Sequence, residues 1–332
     1  MKPQALKYLC VAAAITVAAA FIALPCDAQA ASCCGGGSAS TLVLPKLGQS
    51  EYSVSVAREN YTGYWDNAKT WHKNPDGSDM NQYRLTLGAA MRLAPRWQAS
   101  VSAPYVWNRN RYSSGFESNT DGIGDAVVGI KYENFEHAMC ITNIESWRDL
   151  LPAVYFGASL TLPTGVSPYD DVNDSFGITG RGFYRVDGNI LIEKTIYPWN
   201  LSVDLSYGTS LERDVNREYG NYVEPHRKNL GDRFGAAVRF GWGYDLPWGG
   251  TTLTPSLNYS YVREGNGEFN GQDDESSGFS SESVGASLSL ANFTNEWIGT
   301  LSFSRAVKKN DWGRNFPTTD TWMLGVSHVL YE

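Results

Sequence analysis

The chain has 332 residues, with 27 Lys and Arg against 35 Asp and Glu, and a net charge of −8. This acidic balance excludes a nucleic-acid binder that relies on a basic face. Only 19% of the residues are charged and 13% are aromatic, a composition that excludes a disordered chain. No long apolar run follows the N-terminal segment, which excludes a helical membrane protein.

The N-terminal segment has the three parts of a secretory signal peptide. Lys2 and Lys7 precede an apolar stretch over residues 9–24, which is short for a membrane span. The small residues of Ala28-Gln29-Ala30 follow as a cleavage site. We expect cleavage after Ala30 and therefore export of the mature chain.

From residue 51 onward the hydrophobic pattern has a period of two. Every second residue is apolar in segments 84–93, 201–207 and 283–290, as in strands with one apolar and one polar face. No segment after the signal predicts an amphipathic helix of three turns, so the fold is expected to be all-β. The predicted strands cover residues 51–65, 80–94, 98–114, 123–136, 152–165, 184–197, 201–214, 231–246, 251–269, 278–294, 298–312 and 319–332.

The connections between these strands alternate in length. Tight turns are predicted near residues 95–97, 198–200, 247–250 and 295–297, with longer polar connections between them. The exception is 137–151, a long connection on the short-turn side. Short turns at one end, long loops at the other and both termini on the short side are typical of an outer-membrane barrel.

The distribution of side chains between the two faces favours the same architecture. Apolar residues share one parity on most strands, and aromatic residues such as Trp107, Tyr207 and Trp242 close the rows, as at a lipid–water boundary. The alternative is a large soluble β-sandwich, although strands this long are unusual there. We predict a transmembrane antiparallel up-and-down β-barrel of about 12 strands, with short periplasmic turns and longer extracellular loops. The predicted division is a cleaved signal over 1–30, a flexible Cys/Gly/Ser periplasmic leader over 31–50 and the barrel over 51–332.

Two segments resemble a known family. Residues 121–132 (DGIGDAVVGIKY) resemble the G-x-G-D…G-x-K-Y strand of a bacterial outer-membrane family named after the meta-pathway of phenol degradation. Residues 156–165 (FGASLTLPTG) resemble its G-x-S-L-x-L-P-T-G strand. The resemblance implies an outer-membrane barrel that passes small, often aromatic or hydrophobic, compounds. The Cys-Cys-Gly-Gly-Gly start at residues 33–37 is not part of this pattern and leaves open a subgroup with a different task.

Charged residues on the inward parity are the candidate functional residues, because a charge inside a narrow lumen selects what passes. The alternative is that these residues pair across strands and fill the interior, as in small barrels. Small inward residues, such as Ser102, Gly129 and Ser206, favour an open passage. The candidates are Arg84, Arg92, Asp125, Lys131, Glu133, Asp187, Glu193, Asp204 and Arg239.

The mature chain has three cysteines, Cys33, Cys34 and Cys140. The leader and the 137–151 connection are both predicted on the periplasmic side, so Cys140 could form a disulfide with one of the pair. The pair could alternatively hold a soft metal, Cys33 could be lipidated, or the cysteines could have no specific role. No confident metal site and no cofactor are predicted.

The leading hypothesis is an outer-membrane channel for passive passage of small, hydrophobic or aromatic solutes. A second hypothesis is a structural or interaction barrel that holds a periplasmic redox or metal-handling partner through the leader and the 137–151 connection. A third is a lipid-acting enzyme of the outer membrane. The third is disfavoured because Ser327 and the outward His328 point to opposite faces and no catalytic motif is present.

The expected surroundings are outer-membrane lipid and lipopolysaccharide, with no nucleic acid. Two acidic loop clusters could bridge lipopolysaccharide through cations or could simply be solvated. These clusters are Asp170, Asp171 and Asp174, and Asp273, Asp274 and Glu275.

Overall fold

The computed structural model is an all-β barrel of twelve antiparallel strands. It describes residues 42–45, 47–134, 140–172, 176–247, 250–292 and 294–331. The predicted cleavage site and the Cys33-Cys34 pair lie outside the described residues. Within them, no helix has the length and apolar character needed to cross a membrane.

The barrel strands follow one another around the wall in chain order. They are β1 Gly48–Trp65, β2 Asp79–Ala94, β3 Trp97–Arg111, β4 Glu117–Ile123 and Ala126–Glu133, β5 Ala153–Leu162, β6 Arg185–Ile196, β7 Trp199–Ser210, β8 Arg233–Trp242, β9 Thr252–Glu264, β10 Phe279–Ala291, β11 Trp297–Ala306 and β12 Phe316–Tyr331. Strand β1 also pairs with β12, from Gly48 opposite Tyr331 to Trp65 opposite Phe316. This pairing closes the barrel and removes both sheet edges.

The predicted asymmetry of the connections is confirmed. Short turns join β2 to β3, β6 to β7, β8 to β9 and β10 to β11. Most of the long connections lie at the opposite end, where two of them form a separate four-stranded sheet. Its strands are Arg213–Glu218, Asn221–Asn229, Gly267–Phe269 and Gln272–Asp274. The long connection on the short-turn side contains Cys140–Ile141, which pairs in parallel with the end of β6, and a short 3₁₀ helix at Trp147–Leu150.

Residues of alternate parity face opposite sides of the wall, as the sequence predicts. Val54, Val56, Leu87 and Leu324 are exposed on the outer face, where lipid covers them. Aromatic rings end the outer rows at the short-turn end, where Trp199 and Trp242 lie 3.9 Å apart between ring centroids. An apolar outer face with aromatic residues at its border is expected of a membrane-spanning surface.

The sequence predicts an unbroken strand over residues 123–136, whereas the structure has an interrupted strand that begins earlier, at Glu117. Strand β4 is interrupted between Ile123 and Ala126. The Thr164 hydroxyl bridges the break, because it donates to the Gly124 carbonyl at 2.6 Å and accepts from the Ala126 backbone N–H at 3.0 Å. The break turns the chain after β5 away from the wall and toward the interior.

Candidate functional site: the barrel interior

The charged candidates all lie on the inner side of the wall. Eight of them are on strands at inward positions, and Asp125 lies in the break of β4. Their surroundings differ, however. Some hold chain segments that enter the barrel, some pair with one another, and a few border accessible space.

Arg84 belongs to a buried polar chain on β1, β2 and β3. Its Nη2 atom lies 3.0 Å from Glu59 Oε1 and donates to Gln82 Oε1 at 2.8 Å. The Gln82 amide donates to Asn108 Oδ1 at 2.8 Å, and Asn108 donates to the Ile178 carbonyl at 2.9 Å. The chain of hydrogen bonds therefore runs from the wall to the β5–β6 connection.

The described parts of the β5–β6 connection, residues 163–172 and 176–184, fold into the barrel from the long-loop end. Asp125 accepts hydrogen bonds from the backbone N–H groups of Gly165 at 3.1 Å and Arg181 at 2.6 Å. The fully buried Thr179 donates to the Ile123 carbonyl at 2.8 Å. Asp125, which is only 1% exposed, thus holds this connection against the break in β4.

Arg181 links the β5–β6 connection to strand β9 across the interior. Its Nη2 atom donates to Glu264 Oε1 on β9 at 2.6 Å, and its side chain is only 12% exposed. The guanidinium also lies 5.6 Å from the ring centroid of Phe279, which packs in a buried aromatic cluster with Trp65 and Phe316. Arg181, Glu264 and Phe279 form the outer constriction.

A second segment enters the barrel at the short-turn end. Residues 42–45 lie against the inner wall, and Leu44 is 1% exposed. The Leu44 backbone N–H donates to Gln98 Oε1 at 2.7 Å. Val43 packs against a buried cluster that contains Tyr155 of β5 and Leu191 of β6. This segment forms the inner constriction.

Arg92 holds the inner constriction in place. Its Nε atom donates to the Gly48 carbonyl at 2.9 Å and its Nη2 atom to the Pro45 carbonyl at 3.1 Å. The expectation of a flexible leader over 31–50 therefore does not hold for residues 42–45. Their apolar side chains gain burial inside the barrel, and Arg92 and Gln98 satisfy their backbone.

The remaining charges form pairs and small clusters. Asp187 accepts from Arg185 Nε at 2.9 Å. Glu193 lies within electrostatic range of Arg239 and Lys131. In the same layer, Glu133 and Glu193 both act electrostatically on Tyr155. Opposite charges inside the barrel are therefore largely compensated.

Burial varies along the inner wall. On β2 to β4, Gln82 and Lys131 are at most 4% exposed and Arg84 is 9% exposed. On β7 to β10, some inward residues are buried, but others are partly exposed although they face the interior; among the latter are Asp204, Ser206, Arg239, Asn258, Ser260 and Ser283. This partial exposure indicates space inside the barrel beside β7 to β10, and Asp204 and Arg239 are the predicted residues that border it.

Short hydroxyl side chains line this side of the interior, and of these Ser256 and Ser287 are buried. The Oγ atoms of Ser256 and Ser287 lie 2.7 Å apart, and those of Ser260 and Ser283 lie 2.8 Å apart. Because these hydroxyls pair along the wall, their polarity is satisfied without any long side chain reaching into the lumen.

A vestibule lies above the outer constriction. This cavity of about 200 Å³ is lined by Tyr169, Phe269 and the ion-paired Lys228 and Glu218, and it reaches Arg181 and Glu264 at its floor. It is formed by the loop sheet, so loop residues far apart in sequence define the outer mouth.

The other sequence candidates have different outcomes. Cys140 lies in the short parallel pairing with β6, but its predicted partners Cys33 and Cys34 are outside the described residues. Asp170 accepts from the Ser167 backbone N–H at 2.7 Å, Asp171 lies in the same loop, and Asp174 is not described. No group of three potential metal-ligating residues occurs in the described part of the chain.

His328 faces outward, as predicted from its parity. Its cross-strand neighbours are Tyr52 and Trp297, and its ring stacks on Trp297 at 4.3 Å between centroids. Its Nδ1 atom pairs with the Glu296 carbonyl. Neither cross-strand neighbour is a serine, so the hypothesis of a lipid-acting His–Ser pair gains no support at this position.

Several important interior residues were not predicted. Glu59, Arg185, Arg233 and Glu264 lie on the inward parity of their strands, and the period-two pattern could have identified them. Arg181 lies in a loop and has no such signal. Its role depends on the path of the β5–β6 connection, which only the structure provides.

The family model described as "Putative MetA-pathway of phenol degradation" matches residues 92–321. The chain belongs to this family. The match contains both segments, 121–132 and 156–165, from which the resemblance was predicted. No curated protein matches the chain in sequence.

The fold is similar to that of solved outer-membrane barrels. The COG4313 outer membrane channel from Pseudomonas putida F1 aligns with a TM-score of 0.61 at 15% identity, over 92% of this chain and 100% of that chain. The β domain of the Bordetella autotransporter BrkA aligns with a TM-score of 0.48 at 11% identity, over 85% and 100%. The first of these alignments shows that the chain has the fold of an outer-membrane β-barrel.

Proposed function

We propose that the protein is a channel for the passive passage of small, hydrophobic or aromatic solutes. The observation that carries this proposal is the accessible space along β7 to β10, where inward residues keep exposure inside a closed barrel. A barrel filled by its own side chains would bury these residues as fully as Gln82 and Lys131 on the other side.

The proposed route runs from the vestibule past Arg181 and Glu264, along the serine-lined wall, and out beside residues 42–45. Asp204 and Arg239 are the charges that a solute meets on this route. The aromatic lining of the vestibule, with Tyr169 and Phe269, supports capture of planar apolar solutes through ring contacts. Membership of a family associated with phenol degradation supports the same substrate class.

Single-channel conductance and solute flux test this proposal. Refolded protein in a planar bilayer should give discrete current steps, and in sealed vesicles it should raise the flux of a small aromatic solute above the lipid background. Asp204→Asn and Arg239→Gln should shift ion selectivity in opposite directions, because they remove charges of opposite sign from the route.

Arg58→Gln is the matched control, since Arg58 lies on the outer face beside Asn81. It should leave selectivity unchanged. Folded protein that passes neither ions nor the aromatic solute would refute the channel. Ion current with no aromatic flux would retain the channel and reject the substrate class.

One observation favours the interaction barrel as a second candidate function. The long connection on the short-turn side exposes Ile144, Trp147 and Leu150, with relative exposures of 51–69%. Exposed apolar groups of this kind mark contact surfaces. A periplasmic protein retained by the wild type and lost from Trp147→Ala/Leu150→Ala, with conductance unchanged, would support this candidate. Equal retention by the variant would reject it.

A further inference from the structure

A second cavity, of about 360 Å³, lies near the long-loop end of the wall and shares Glu264 and Phe279 with the outer constriction. Tyr261 and Arg263 line it from outward positions of β9, and Ser280 lines it from an outward position of β10. Tyr259, two residues before Tyr261, is exposed in the outer aromatic band. The cavity therefore borders the level at which lipid headgroups begin.

Three cationic side chains converge on this cavity from different parts of the chain. Arg263 pairs across the sheet with Ser280, and Ser280 pairs with Arg314 of the β11–β12 connection, so the three form a row. Lys69 joins them from the β1–β2 connection, where its carbonyl accepts a hydrogen bond from the Asp311 backbone at 3.0 Å.

These cations are poorly compensated by neighbouring acids. Arg314 donates through Nε to Asn67 at 2.8 Å, which is a neutral partner. Among the described residues, Lys69 and Arg263 have no side-chain hydrogen bond or ion pair. Glu264 also lines the cavity, but its carboxylate is held by Arg181 on the inner side.

We propose that this cavity binds the phosphate groups of the phosphorylated glycolipid in the outer leaflet, of the lipid A type. Arginine and lysine are the side chains that recognise phosphate oxygens, arginine through two parallel hydrogen bonds. Ser280 and Tyr261 add hydroxyl groups for the attached sugar. The cavity volume exceeds that of a single phosphate, and its place beside the aromatic band leaves the acyl chains against the apolar wall.

The site differs from the acidic loop clusters, which would need a bridging cation. Its cations, Lys69, Arg263 and Arg314, are not among the residues proposed to contact the solute in the channel. The binding test can therefore fail while the channel proposal stands, and the channel proposal can fail while the binding site stands.

The test measures binding of purified bisphosphorylated lipid A to the full chain refolded in detergent micelles, by titration. Wild type should bind it at least tenfold more tightly than dephosphorylated lipid A. Lys69→Ala/Arg263→Ala should abolish that preference, since these two cations hold no other described side chain. Arg314 is left intact because it anchors neighbouring loops.

Arg109→Ala is the matched control, an exposed arginine near the same end of the barrel on β3. It should keep the tenfold preference, with all variants showing the wild-type circular dichroism spectrum. A preference that persists in the double variant, or that is lost equally in the control, would overturn the site. Equally tight binding of phosphatidylglycerol would overturn the assignment to the glycolipid.

Discussion

The ion pair between Arg181 and Glu264 should stabilise the barrel by fixing the β5–β6 connection across the lumen. Arg181→Met and Glu264→Gln each remove one charge while keeping side-chain size close to the original. Each variant leaves its partner charge in a site where the side chains are only 12% and 4% exposed. Both should therefore be destabilised, and the double variant should lose less than the sum of the single losses.

The magnitude follows from the burial of the pair. Two unit charges about 4 Å apart attract by about 4 kcal/mol at an effective dielectric constant of about 20. Breaking a buried pair from one side typically costs about 3–5 kcal/mol, because the remaining charge is uncompensated. Glu264→Gln should be the costlier change, since Glu264 also attracts the buried Arg233. We expect a coupling energy of about 2 kcal/mol between Arg181 and Glu264.

Urea unfolding of the four proteins in detergent micelles gives the free energies for this double-mutant cycle. The exposed pair Lys73–Asp76, with side chains 69% and 92% exposed, is the control and should show no resolvable coupling. A second readout is conductance, which should rise in Arg181→Ala/Glu264→Ala because both side chains leave the outer constriction. Additive stability losses together with unchanged conductance would refute the bridging role.

Three further predictions concern other parts of the barrel. Deleting residues 31–45 should increase single-channel conductance, because residues 42–45 occupy the inner mouth; an unchanged step size would contradict this. Gly208→Ala should destabilise the barrel by about 1–3 kcal/mol in urea unfolding, since its new Cβ would clash with Asp187 Oδ1 and approach the Val186 carbonyl oxygen; a neutral variant would contradict it. Hydrogen bonds from His72 and the adjacent backbone hold the pKa of Asp66 below its ordinary value. Because a depressed carboxylate pKa stabilises above the unfolded value of about 4, the amide protection factors of the β1–β2 loop, corrected for intrinsic exchange at each pH, should fall only below that pH, and a fall already at pH 6 would contradict it.

The fold could be predicted from the sequence because alternation and turn length are local signals. A strand with lipid on one side must alternate, so the inward positions of Arg84 and Arg239 follow from counting along the chain. The break in β4 could not be predicted this way. The break depends on the Thr164 side chain, whose hydroxyl bonds to the Gly124 carbonyl and the Ala126 backbone N–H in place of a backbone partner. Thr164 follows β5 and therefore belongs to a different hairpin from the break.

The sequence predicts which side chains point into the barrel, but it does not predict which of them are buried there. Parity indicates that a side chain points inward, but its burial depends on what lies opposite. Residues 42–45 and the described residues of 163–184 contact inward groups of the wall, such as Gln98, Asn108 and Asp125, and neither segment has a period-two pattern. The apolar sequence Leu42-Val43-Leu44 is a signal for burial, but it does not indicate where the segment packs.

The two halves of the interior therefore have different physical tasks. Arg84, Arg92 and Asp125 are each committed to holding an inserted segment, so changing them would disturb a constriction as well as a charge. Asp204 and Arg239 border accessible space, so their charges can act on a solute directly. A conservative change at these two positions should alter ion selectivity, although both residues also interact with neighbours inside the barrel. Inward positions are thus of two kinds: some residues hold the segments that narrow the passage, and others face the solute.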